Sequence, residues 1–156
     1  MNLIDLVSGV EVSIQYSIFR DFPVITRSHL INNQGSRPLS IEGVTSLSLD
    51  LPDRNYEMIQ LSGAWARERH IHSTLLHQGI QSIESTRGIS SHLHNPFLAL
   101  KRPETTENQG EVIGLSLIYS GNFLLQAEVD TFDVTRLQVG INPFQFCWKL
   151  DPGASF

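Results

Sequence analysis

His70 and His72, and again His92 and His94, form two i, i+2 pairs. On a strand that spacing puts both imidazoles of a pair on one face, so four rings could in principle converge on one ion. Neither pair has a cysteine or a close carboxylate to complete a ligand set, and the Arg and Ser neighbours suit polar loop positions, so no metal is expected. Ser90 and Ser91 precede His92, but a Gly-x-Ser-x-Gly elbow is lacking and adjacency in the chain is not triad geometry; turn chemistry accounts for these serines. Asp50 with Asp53, and Asp130 with Asp133, are close carboxylates of the kind a glycosidase sets about 5 to 10 Å apart around a sugar. Each sits at a strand end beside Pro, Arg or Thr, where aspartate is a turn former, and neither pair reads as an acid with a nucleophile. Cys147, between Phe146 and Trp148, has no basic neighbour to lower its thiol pKa and reads as an inert packing residue. No catalytic residue is assigned.

One stretch stands out in otherwise charge-poor sequence: Leu61-Ser62-Gly63-Ala64-Trp65-Ala66-Arg67-Glu68-Arg69. An aromatic ring beside small residues can stack on the apolar face of a sugar, while Arg and Glu meet its hydroxyls. The competing reading makes Trp65 a core residue and Arg67, Glu68 and Arg69 a solvated ladder. Residue chemistry alone favours the core slightly.

The elements that must position these residues are strands. Val10 to Phe19 alternates strictly, with Val10, Val12, Ile14, Tyr16 and Ile18 on one face, which predicts a long strand with one buried side. Val24 to Asn32 follows the break at Asp21-Phe22-Pro23. Leu39 to Leu51 reads as one strand with a bend or bulge at Gly43. Tyr56 to Leu61, Gln78 to Thr86, Glu111 to Tyr119, Phe123 to Asp130 and Val134 to Ile141 continue the series, and Phe144 to Leu150 predicts Phe144, Phe146, Trp148 and Leu150 on one face. Ala64 to Leu76 lacks a helical apolar stripe and reads as strand or extended loop. Gly, Pro and Asn clusters every ten or so residues between such runs predict an all-β, antiparallel β-sandwich.

The chain of 156 residues has room for one domain with a real core. Only 17% of its residues are charged, and 11 basic against 16 acidic residues leave a net charge of -5 without any basic run, which argues against a nucleic-acid partner. A single cysteine, and an N-terminus lacking a signal-peptide pattern, suggest a reducing, cytoplasmic setting. No window approaches the ~18 apolar residues of a membrane helix, so no membrane association is expected.

Eight segments then occur in order: Phe19-Arg20-Asp21-Phe22-Pro23-Val24-Ile25-Thr26-Arg27, Ser48-Leu49-Asp50-Leu51-Pro52, Gly63-Ala64-Trp65-Ala66-Arg67-Glu68-Arg69, Gln81-Ser82-Ile83-Glu84-Ser85, Ser90-Ser91-His92, Asn95-Pro96-Phe97, Tyr119-Ser120-Gly121-Asn122-Phe123 and Gly140-Ile141-Asn142-Pro143. Each is weak alone; together they closely resemble the N-terminal β-sandwich domain of the α-galactosidases of glycoside hydrolase family 36. The resemblance implies part of a retaining enzyme that removes terminal α-1,6-linked galactose from melibiose, raffinose and stachyose without a metal or other cofactor. It also implies a single sandwich domain over residues 1–156, truncated at both ends, with the two catalytic aspartates on a (β/α)₈ barrel that is absent here. The barrel, further copies of the enzyme in a homo-oligomer and α-galactoside oligosaccharides are the implied partners. The tryptophan of the Gly-Ala-Trp-Ala-Arg-Glu-Arg segment helps line the family's galactose pocket, which maps onto Trp65. A free-standing carbohydrate-binding or interaction module is the alternative, since fold does not fix function. A sandwich cut between strands would expose edges and an apolar face such as that of Val12, Ile14 and Tyr16, and so self-associate.

Overall fold

The computed structural model describes all 156 residues. Every regular element is a β-strand, and the pairings with a defined register are antiparallel, so the expected all-β class holds. The chain divides into two compact units, one formed by Met1–Ser46 with Gln145–Phe156 and the other by Leu47–Phe144.

In the first unit, β1 (Asn2–Asp5), β2 (Val10–Ile18) and β3 (Ile25–Asn33) form a meander in that order, with Val10 opposite Asn33 and Ile18 opposite Ile25. The alternating pattern places β2 where it was expected, but the predicted apolar side is not sealed. Val12 and Ile14 are half-buried, Tyr16 is exposed and Ile18 is 78% exposed. Alternation dictates which side chains share a face; burial additionally needs a layer laid over that face.

The expected Leu39-to-Leu51 strand is broken at Glu42–Val44, around Gly43, into β4 (Leu39–Ile41) and β5 (Thr45–Leu51). β4 pairs with β13 (Trp148–Leu150), Leu39 opposite Leu150. The predicted strand from Phe144 is shortened to those three residues because Gln145 takes a left-handed φ of 53°, which breaks the aromatic alternation. Phe144 is therefore exposed while Leu150 is buried, and Cys147 is exposed rather than packed.

The last residues zip along β3. Ile31 and Phe156 exchange both backbone hydrogen bonds at 2.9 Å, and the Asn33 amide donates to the Ala154 carbonyl at 3.0 Å. Asn33, 1% exposed, locks this corner: its Nδ2 donates to the Arg37 and Leu150 carbonyls at 2.8 and 2.9 Å, and its Oδ1 accepts the Gly35 amide at 3.0 Å. Asn33→Ala would strip partners from all three backbone groups and is expected to cost about 2 kcal/mol in urea unfolding; a loss below about 0.5 kcal/mol would show that water replaces the amide.

The second unit is a sandwich of two four-stranded sheets. One has the order β10-β9-β6-β7, from β6 (Glu57–Ala64), β7 (Arg67–Leu75), β9 (His94–Lys101) and β10 (Val112–Ser116). The other has the order β5-β12-β11-β8, with β8 (Gly79–Glu84), β11 (Phe123–Val129) and β12 (Thr135–Ile141). β11 alternates strictly: Phe123, Leu125, Ala127 and Val129 are buried, while Gln126 faces outward and donates across the pair to Gln138 at 2.7 Å. With Ile83, Leu137 and Val139 they pack on Met58, Leu98 and Leu100 of the opposing sheet. The β9 strand went unseen in the sequence because Pro96 reads as a breaker. It falls where the β6–β9 register is irregular, between Gln60 and Ser62, and its carbonyl accepts the Leu117 amide at 3.0 Å.

Candidate functional site

Within the second unit, β6 and β7 form a hairpin whose turn is Trp65-Ala66, closed by Ala64 opposite Arg67. Ala66 has a φ of 64°, held by a hydrogen bond from its amide to Glu68 Oε1 at 3.0 Å. One step down, Ser62 faces His70, so the single residue Gly63 opposes both Glu68 and Arg69. This is a β-bulge, and Arg69 absorbs it with a φ of 61°. Gly63 is required there: a Cβ would sit 2.3 Å from the Arg67 carbonyl oxygen.

The hairpin carries Trp65 at its tip, 82% exposed. The core reading of this residue is overturned, because a two-residue turn projects beyond the sheet and its side chains cannot reach the sandwich interior. Arg67, Glu68 and Arg69 are also exposed, as a solvated ladder would be.

The bulge has a second effect. In a regular strand Arg67 and His70, three apart, would point to opposite faces. Because the bulge absorbs one residue, Arg67, His70 and His72 lie opposite Ala64, Ser62 and Gln60, alternate positions of β6 that share one face. Ser62 is also opposite His94 of β9. Arg67, His70, His72 and His94, with Ser62, Gly63, Ala64 and Leu93, line a cavity of about 430 Å³. Ser62 Oγ and His94 Nδ1 share a hydrogen bond at 2.9 Å. Burial pushes the His94 imidazole below its ordinary pKa; nearby Glu84 opposes that shift and His72 adds to it. Of the two histidine pairs, three members reach this cavity, while His92 stands exposed outside its lining. No set of three or more His, Cys, Asp or Glu side chains is arranged to hold a metal. Sequence reading missed the Ser62–His94 contact, which joins residues 32 positions apart on a strand that Pro96 disguised.

The carboxylate pairs are spoken for. Arg136 grips Asp50 through Nε and Nη2 at 2.7 and 3.1 Å, and Arg102 donates to Asp53 at 2.6 Å. In each case the guanidinium hydrogen bond holds the carboxyl below the usual range. Asp130 accepts the Phe132 and Val134 amides at 2.8 and 2.9 Å, and Asp133, with a φ of 62°, pairs with Arg54 at 3.2 Å. Ser90 donates to the Tyr119 carbonyl at 3.1 Å and Ser91 accepts the Leu93 amide at 3.1 Å. These groups build turns and sheet corners.

Residues 1–151 match the family described as the glycosyl hydrolase family 36 N-terminal domain. The chain is 49% identical over 152 residues to α-galactosidase AgaA of Geobacillus stearothermophilus, covering 97% of this chain and 21% of that protein. It is 47% identical over 154 residues to α-galactosidase 1 of Pediococcus pentosaceus, covering 99% and 21%. The crystal structure of the Geobacillus enzyme superposes with a TM-score of 0.96 at 48% identity, over 99% of this chain and 22% of that one. Variants of that enzyme have been crystallised with raffinose and with stachyose. The chain thus spans about a fifth of the length of these relatives.

Proposed function

This chain belongs to the glycosyl hydrolase family 36 N-terminal domain family, and from that membership we propose that it serves as the N-terminal β-sandwich of a retaining α-galactosidase. The substrates of the whole enzyme are terminal α-1,6-galactosides such as melibiose, raffinose and stachyose, and the setting is cytoplasmic. Bond cleavage falls to two carboxylates on a barrel domain, one as nucleophile and one as acid and base, and needs no metal. This domain shapes the pocket wall and contributes to the oligomer interface.

The observation that carries the reading is the hairpin that holds Trp65 almost fully in solvent. Its turn is stiffened by the Glu68 bond to Ala66 and by the Gly63 bulge. Such a ring lies ready to stack on the apolar face of a galactose, excluding water from one side of the sugar while polar neighbours meet its hydroxyls. Because the backbone of the turn is set before substrate arrives, little main-chain ordering entropy remains to be lost on binding.

The test joins this chain to the remaining four-fifths of the Geobacillus relative. The isolated chain is expected to release no nitrophenol from a nitrophenyl α-galactoside above background, and the fusion to restore turnover. Hydrolysis by the isolated chain would overturn the division of labour. A folded but inactive fusion, combined with saturable quenching of the isolated chain's Trp fluorescence by galactose, would favour the free-standing binding module instead.

A further inference from the structure

The cavity behind the hairpin has a charge pattern that a neutral sugar does not call for. Four of the side chains that line it, Arg67, His70 and His72 of β7 and His94 of β9, are cationic or can become so, and none of its lining residues is acidic. None of the four has a carboxylate within ion-pair distance, whereas Arg54, Lys101, Arg102, Arg136 and Lys149 each do. Glu84 of β8 accepts a hydrogen bond from Asn142 Nδ2 at 2.9 Å and acts on His94 through space, and Glu68, next to Arg67 in the chain, spends a carboxylate oxygen on the Ala66 amide at 3.0 Å. From β6 the contribution is the neutral Ser62 hydroxyl. Two backbone departures, the Arg69 bulge and the Gly63 vacancy opposite it, turn Arg67 onto the histidine face; without them the cluster would be split across the sheet.

We propose that this cavity is an oxyanion site that takes a sulfate or phosphate group. A volume of about 430 Å³ lies within the range of small-molecule sites. Arg67 supplies a planar, permanently charged fork suited to a tetrahedral oxyanion, and the imidazoles supply N–H donors. Burial lowers the His94 pKa, against the opposing pull of Glu84, so an anion that enters beside that ring raises its pKa again and draws a proton onto it. Affinity increases as pH falls through the histidine range and is weak above it.

Sulfate is the diagnostic probe because its own charge does not change over this range. In equilibrium dialysis with radiolabelled sulfate, the 156-residue chain is expected to bind at about pH 5.5 roughly tenfold or more tightly than at about pH 8. His94→Gln is expected to remove most of that pH dependence, and Arg67→Gln to weaken binding about tenfold at both pH values; Arg67 is exposed, and a glutamine at position 94 can still meet the Ser62 hydroxyl, so neither change threatens the fold. His92→Gln, outside the cavity, leaves binding unchanged. A parallel arm with galactose 6-sulfate separates the sources: tighter binding than sulfate marks a sugar-borne group, equal binding a free ion. Absence of saturable sulfate binding, pH-independent binding, or binding indifferent to both His94→Gln and Arg67→Gln would overturn the proposal. The galactosidase reading does not depend on the result.

Discussion

Trp65→Ala in the fused enzyme is expected to lower kcat/KM for a galactoside about 10- to 100-fold, equivalent to roughly 1.4–2.7 kcal/mol of transition-state stabilisation. The size is what loss of one stacked ring and readmission of water to one face of the sugar should cost. Stability should barely move, within about 0.5 kcal/mol, because the side chain is 82% exposed. Trp65→Phe keeps a stacking face and should recover most of the loss. Steady-state kinetics beside a denaturant melt separates the outcomes: unchanged kcat/KM would remove Trp65 from the pocket, and a large stability loss would return it to the core.

The largest stability effect belongs to Phe123. Its side chain is 0% exposed and belongs to the sandwich core, and its carbonyl accepts the Ser85 amide at 3.0 Å and Asn142 Nδ2 at 3.3 Å. Phe123→Ala leaves a ring-sized void in a core of β-strands that cannot collapse without breaking ladder bonds, so about 3–5 kcal/mol should be lost. Domains have about 5–15 kcal/mol in total, so the second unit would retain little margin. Phe132→Ala makes the comparison, since that ring sits in the β11–β12 turn and is 85% exposed; it should cost no more than about 0.5 kcal/mol. If the two substitutions shifted the urea midpoint equally, the assignment of the core would be wrong.

Much of the fold could be read from period-two patterns, because β2, β11 and β12 carry their alternation in neighbouring residues. β9 could not, since its central place depends on Pro96 meeting an irregular register on another strand. The true start of the strand within the Phe144–Leu150 run is not legible, because the left-handed Gln145 leaves no composition signal. Trp65 illustrates the opposite limit: its segment was conspicuous, yet solvent exposure follows from the turn closing at Ala64 and Arg67, which residue type alone does not announce. The histidine cavity was half visible as i, i+2 pairs. What assembled it was a bulge that changes which face Arg67 occupies, and parity along a strand is invisible until the partner's register is known.

Asn33 finds its Leu150 acceptor 117 positions further along the chain, and the first unit is closed only when residues 145–156 arrive. The second unit is one uninterrupted stretch, Leu47–Phe144. On a ribosome, therefore, β1 to β4 emerge ahead of the second unit and wait, with the flank of β3 that later takes Ala154 and Phe156 unpaired, while the interposed sandwich is made and folds. Folding of that sandwich then shortens the loop that must close between β4 and β13, lowering its entropic cost. The order of synthesis and the order of completion are reversed, and a delay within the middle stretch prolongs the time for which the first strands remain open to foreign pairing.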